Sequence, residues 1–379
     1  MQNQLDDIEN IQDEIDDSYS NDDIYNITSW GADLSFRELI TMYDEDELIK
    51  PELQRHYVWD KVEASRFIES LLLGLPVPSI FLANTSDDKK LIIDGYQRIM
   101  TVYDFFKGIW TKDNRVFRLS NSNKINERWR GKSFSELSSS EQRKIRSTTI
   151  HAIVFEQVKP KNNDTSLYQI FERINTGGRA LGAQEIRNCV YQGPLNTLLI
   201  DINNNQDWRY YIGNEIDPRM KDMELILRFL AMDTDKVKQA PKGNISLKKL
   251  LNEHMGEQKN NSPHAIQKQK EAFTSSISFI RQHFGENAFY NIISSEPDKI
   301  RKRFYPTIFD SLMIATSIAI RELGDNIPTQ NLESKRIEIL KRDDFRKYIS
   351  EGTMQTDSIH GRVSLLLGKV RISGEILLD

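Results

Sequence analysis

Residues 89–108 read KKLIIDGYQRIMTVYDFFKG, and the hydrophobic period changes midway. Lys89 to Ile93 has the length and apolar content of a buried strand. After Gly95 the apolar residues Ile99, Val102, Tyr103 and Phe106 recur at helical spacing, and Gly108 supplies the stop. The joint falls in Ile93-Asp94-Gly95-Tyr96-Gln97-Arg98, where a carboxylate, a flexible residue, an amide and a guanidinium meet at a strand edge. Core packing has no use for that set.

Working outward, Pro76 and Pro78 forbid a helix, so Ser79 to Ala83 reads as a strand paired with Lys89 to Ile93 through the polar turn Asn84 to Asp88. Upstream, Asp60 with Glu63 fits a capping box. Ala64, Phe67, Ile68, Leu71 and Leu72 then predict a helix ending at Gly74. Ser35 to Tyr43 is a shorter helix. Downstream, Trp110 to Leu119 and Thr149 to Phe155 read as strands around a polar, basic insertion. Thr165 to Ile174 and Ala183 to Tyr191 read as helices joined through the turn Asn175-Thr176-Gly177-Gly178. Gly193-Pro194 marks a domain edge, beyond which helical patterns dominate: Lys221 to Met232, Leu247 to His254, Ala265 to His283, Pro306 to Glu322 and Ser334 to Ile349. The expected class is α+β, with a small mixed sheet over 25–195 and an all-helical domain over 196–379.

Residues 1–24 carry nine acidic side chains and no basic one, which predicts a solvated, disordered tail or a mobile competitor for a basic groove. The 51 basic and 47 acidic residues that follow leave the remainder at +4. No apolar run approaches the ~18 residues that a membrane helix needs, and the first residues lack an export signal, so a cytoplasmic protein is expected. A single cysteine, Cys189, allows neither an internal disulfide nor a thiolate metal site.

A strand running into a helix at Gly95 gathers the first free amides of that helix at one point, with the positive end of its dipole. Arg98 in the first turn can add two charge-assisted bonds to the same guest. Asp94 can hold magnesium, accept from a ribose hydroxyl or orient a water, and Gln97 offers both a donor and an acceptor. The same residues admit a purely structural role, with Asp94 capping the helix and Arg98 pairing with it on the surface. Two other clusters carry similar chemistry. Gln54 and Arg55 lie among aromatics in Pro51 to Trp59, and Arg173, Asn175, Gly177, Gly178 and Arg179 set arginines beside glycines that expose backbone amides.

Gln54-Arg55-x-Tyr57-Val58-Trp59, Ser70-Leu71-Leu72-x-Gly74-x-Pro76-x-Pro78, Ile93-Asp94-Gly95-x-Gln97-Arg98, Phe171-x-Arg173-x-Asn175-x-Gly177-Gly178 and Glu185-Ile186-Arg187-Asn188 resemble, in order and spacing, the N-terminal domain of GmrSD-type restriction proteins. That family is similar to the ParB/sulfiredoxin fold, in which a nucleotide is held and often hydrolysed at such a corner. The resemblance implies nucleoside triphosphate binding, with magnesium through Asp94, in an antiphage, restriction-like setting. It puts Asp94, Gln97 and Arg98 on the family's Asp-Gly-Gln-Gln-Arg motif as catalytic residues. Gln54, Arg55, Gly95, Tyr96, Arg173, Asn175 and Gly177 then join Arg98 around the nucleotide. Tyr96 replaces the first glutamine, which makes binding more secure than hydrolysis. The histidines are scattered, without the pattern of the HNH nuclease that larger members append.

Residues 112–146 hold ten basic and four acidic side chains with Trp110 and Trp129 nearby, so Arg128, Arg130, Lys132, Arg143 and Lys144 are candidates for DNA contact. The expected function is an NTP-dependent sensor or regulator of a defence system, acting with nucleotide, DNA or a separate nuclease subunit. The alternative is a non-catalytic DNA-binding or adaptor protein with a vestigial site.

Overall fold

A computed structural model describes residues 8, 26–50, 59–85, 88–159, 168, 172, 182–293 and 296–370. The chain divides into two compact units, one formed by Asp23–Gln192 and the other by the residues from Gly193 onward. Of the acidic head only Ile8 is described, and it makes a parallel bridge with Phe304.

In the first unit, β1 (Asn26–Ser35) leads into α1 (Phe36–Asp44), β2 (Leu48–Ile49), α2 (Lys61–Leu73), β3 (Ile80–Asn84), β4 (Lys90–Asp94) and α3 (Tyr96–Lys107). The short ladder of β5 (Ile109–Trp110) with β6 (Arg115–Val116) follows, then α4 (Ser139–Ser147), β7 (Thr149–Lys159) and α5 (Ala183–Val190). The sheet order is β1-β7-β3-β4-β2. The β1–β7 and β3–β4 pairs are antiparallel, whereas β7–β3 and β2–β4 are parallel. This is the mixed sheet expected from the pattern.

The core explains these elements. Ile80, Leu82, Ile92, Ile150, Ala152 and Val154 of the sheet pack with Phe36 and Leu39 of α1, Ile68 and Leu71 of α2, Ile99, Val102 and Phe105 of α3, and Ile145 of α4. Burying one such side chain contributes about 1.5–3 kcal/mol, so the alternation along each strand fixes its register. The α2 start is the predicted capping box: the Asp60 carboxylate accepts from the Val62 and Glu63 amides, and Glu63 accepts from the Asp60 amide at 2.8 Å. Gly74 closes it in the left-handed region at φ +77°.

Several expectations need correction. Trp110 to Leu119 is not one strand, because the chain reverses between β5 and β6. There the buried Asp104 carboxylate accepts from the Thr111 amide at 2.9 Å and hydroxyl at 2.6 Å, and Asn114 turns at φ +56°. β1 itself carried no recognised strand signal. In the second unit the helices α6 (Pro194–Asn203), α7 (Gln206–Ile212), α8 (Lys221–Met232), α9 (Asp235–Lys238), α10 (Leu247–Gly256) and α11 (Pro263–Phe284) precede an antiparallel hairpin, β8 (Tyr290–Ile293) with β9 (Glu296–Phe304). That hairpin was not expected, and its β9 contains the basic run Lys299 to Arg303. After α12 (Pro306–Leu323), the single helix expected over Ser334 to Ile349 is two, α13 (Leu332–Leu340) and α14 (Asp343–Ser350). Arg342 takes an extended ψ of 138° between them. α15 (Thr356–Val370) completes the unit.

Charge is buried in its centre. Arg228 of α8 donates to Asp310 of α12 at 2.6 Å, and Arg362 of α15 donates to the carbonyls of Tyr348 and Thr353. All three side chains are shielded from water.

Candidate functional site

Gly95 ends β4 at φ +100°, and a Cβ there would lie 2.2 Å from Cγ2 of Ile80. The corner is therefore closed to any residue with a side chain, for strain and space together. It is also why the helix begins so abruptly. Gly95 occupies the N-cap of α3 and, having no side chain, satisfies none of the first amides. No acidic residue stands in the first turn. The expected alternative of Asp94 as the cap does not hold.

Its companion, an Asp94–Arg98 pair, does hold. Nη2 of Arg98 donates to Oδ2 of Asp94 at 2.5 Å, and Nη1 donates to the Pro78 carbonyl at 3.3 Å. The Arg98 side chain is 13% exposed and that of Asp94 is 54% exposed. The guanidinium is thus held by its own fold in the first turn of α3, while the carboxylate faces water.

Gln97 uses its side-chain oxygen within the fold. Its Oε1 accepts from the Trp59 amide at 3.3 Å, while Nζ of Lys112 donates to the Trp59 carbonyl at 3.0 Å. Gln97 thereby ties the start of α3 to the chain four residues past Arg55. Gln54 and Arg55 themselves, and Arg173, Asn175, Gly177 and Arg179, lie outside the described residues.

Tyr96 packs against the core cluster, and burial, followed by the neighbouring Tyr43 and Asp104, pushes its hydroxyl up to about 12. It is a neutral, partly buried phenol. Sequence reasoning missed Phe81: it faces Asp94 across the β3–β4 ladder, and its ring stacks on that of Phe155 at 6.0 Å and 18°. Both rings are half-buried. The alternation of β3 held that signal, since Phe81 points opposite to the buried Ile80 and Leu82.

The basic insertion is largely engaged with its own fold. Arg128 pairs with Glu141 at 2.8 Å, Arg130 donates to the carbonyls of Ile125 and Asn123, and Lys144 donates to the Leu72 carbonyl at 2.7 Å. Arg143 is exposed and Lys132 half-buried. Hydrogen bonds from Trp129 at 2.9 Å and from Ser138 outweigh desolvation and hold the Glu141 carboxyl at about 2. Among the described residues no group of three or more His, Cys, Asp or Glu converges as metal ligands, and no helix is long and apolar enough to cross a membrane.

Sheet, covering helices and uncapped helix start together define an α+β domain organised around one strand-to-helix corner. Residues 36–192, which contain that corner, match the family described as GmrSD restriction endonuclease, N-terminal domain, and this part of the chain belongs to it. No curated protein matches the sequence.

Proposed function

We propose that the first unit binds a nucleoside triphosphate at the start of α3 and serves as the nucleotide-dependent sensor of a restriction-type defence system, with a ParB-like mode of nucleotide holding. The observation that carries this reading is the uncapped start of α3, backed by a cation. Gly95 gives the first amides no side-chain cap, and Arg98 stands in the first turn. Helix amides and a guanidinium at one point are suited to phosphate. In this reading the phosphate takes over the Arg98 fork from Asp94. The carboxylate, more than half exposed, is the residue that would hold magnesium, whose charge would offset that of the phosphates. Gln97 acts by holding Trp59.

Hydrolysis rests on less than binding does, because Tyr96 replaces a family glutamine and is packed inward. Transmission to DNA or to a separate nuclease through the helical unit belongs to the same proposal.

A specific observation favours the second reading, an adaptor with a vestigial site: Arg98 already has two partners within its own fold. Calorimetric titration of the full chain with each nucleoside triphosphate, with and without magnesium, separates the two. Binding that Arg98→Ala abolishes supports the sensor. An absence of binding to any of them refutes it in favour of the adaptor.

A further inference from the structure

The second unit contains a cavity of about 550 Å³ between the end of α8, α9, α10 and the first turns of α11. That volume lies in the range of small-molecule sites. Its wall is apolar where Phe229, Leu230 and Leu250 line it, and polar where His254, Asn260 and Gln269 do. His254 is buried there, and burial pushes its pKa down, so the ring is neutral. Nε2 contacts the side-chain oxygen Oε1 of Gln269 at 2.8 Å, an atom that can only accept, which assigns the proton to that nitrogen, and Nδ2 of Asn260 lies 3.4 Å from Nδ1.

The charges around this wall are unequal in what they already hold. Asp233 is gripped by both guanidinium nitrogens of Arg321, at 2.6 and 2.8 Å, and by Lys238 at 2.9 Å. Glu253 pairs with Lys236 at 2.6 Å, and Glu257 with Lys259 at 3.0 Å. Three of the four lining carboxylates are thus neutralised by lining cations. Lys268 and His264 also line the cavity, four residues apart on one face of α11, and have no ion-pair partner among the described residues. They follow Ser262, whose hydroxyl accepts from the Ala265 amide at 3.3 Å.

We propose that this cavity binds a phosphate-bearing small molecule, its phosphate between Lys268 and His264 and its body over Phe229, Leu230 and Leu250. A phosphate has oxygens enough to accept from an ammonium and an imidazole N–H together, which a carboxylate does less well. The proposal is independent of the nucleotide reading of the first unit, since every residue it uses lies beyond Gly193.

The test uses the full chain and inorganic phosphate as probe, with sodium chloride at matched ionic strength and acetate as comparisons. The six histidines make imidazole resonances a tractable readout. The expected result is a saturable shift of the His264 signal with phosphate, reduced about tenfold in apparent affinity in Lys268→Gln and unchanged in Arg98→Ala. Lys268 is exposed, so its replacement leaves the fold intact, as circular dichroism would verify. A shift that never saturates, that sodium chloride reproduces, or that acetate produces with equal affinity overturns the proposal, as does a Lys268→Gln protein that binds like the native one.

Discussion

Asp94→Asn is the sharpest probe of the corner, because it removes a charge and almost no volume. The native carboxylate sits 2.5 Å from Nη2 of Arg98 and is more than half exposed. An i,i+4 pair with one solvated partner contributes only a few tenths of a kcal/mol to about 1 kcal/mol, so the fold should tolerate its loss with a small change in melting temperature. Binding should respond more strongly. A phosphate on Arg98 would lie within about 5 Å of the carboxylate, and two like charges at that distance near a protein surface repel by about 1–3 kcal/mol. Without magnesium, Asp94→Asn should therefore bind nucleoside triphosphate roughly 5- to 150-fold more tightly than the native chain. With magnesium the order should reverse, because the substitution removes the carboxylate that would hold the ion. Titration of a fluorescent nucleotide in chelator and then in magnesium measures both limbs. Equal affinities for native and Asp94→Asn protein in both conditions would refute the idea that this carboxylate competes for Arg98.

Three other outcomes follow from the packing. Gly95→Ala should destabilise the first unit by about 2–5 kcal/mol, from its left-handed φ and the collision with Ile80, read as a lowered denaturant midpoint; a neutral effect would contradict the corner geometry. Asp310→Ala leaves Arg228 buried without its carboxylate and should cost the helical unit about 3–5 kcal/mol, measured by thermal unfolding. The Glu141 carboxyl, held at about 2 against an ordinary 4.5, gives stability that is present above pH 4.5 and lost as pH falls toward 2. Glu141→Gln should be less stable than the native chain at neutral pH and should lose less on acidification across that window; parallel melting curves would show the carboxyl to be unimportant.

What the sequence disclosed depended on whether a local signal agreed with the burial that finally decides structure. α2 was legible because Asp60, Glu63, the apolar stripe and Gly74 all point the same way. β4 and α3 were legible because the hydrophobic period changes across Gly95. β9 was not, since Lys299, Arg301, Lys302 and Arg303 make its composition resemble a solvated surface, and its strand character comes from pairing with β8. The break at Lys341-Arg342 has no Gly or Pro to announce it; the pairing of Arg342 with Asp344 at 2.9 and 2.6 Å accompanies the extended turn. At the site, spacing identified the Asp94–Arg98 contact, but the attachment of Gln97 to the Trp59 backbone spans 38 positions, a distance at which spacing carries no information.

The charges enclosed in the helical unit bear on how any message could cross it. Sliding α12 past α8 by one turn would part the buried pair of Arg228 and Asp310, and breaking a buried pair costs about 3–5 kcal/mol, more than the ~1–3 kcal/mol by which one ligand ordinarily couples two sites. Such a body resists internal shear. Whatever it relays should travel as displacement of the whole block rather than as a rearrangement threaded from helix to helix.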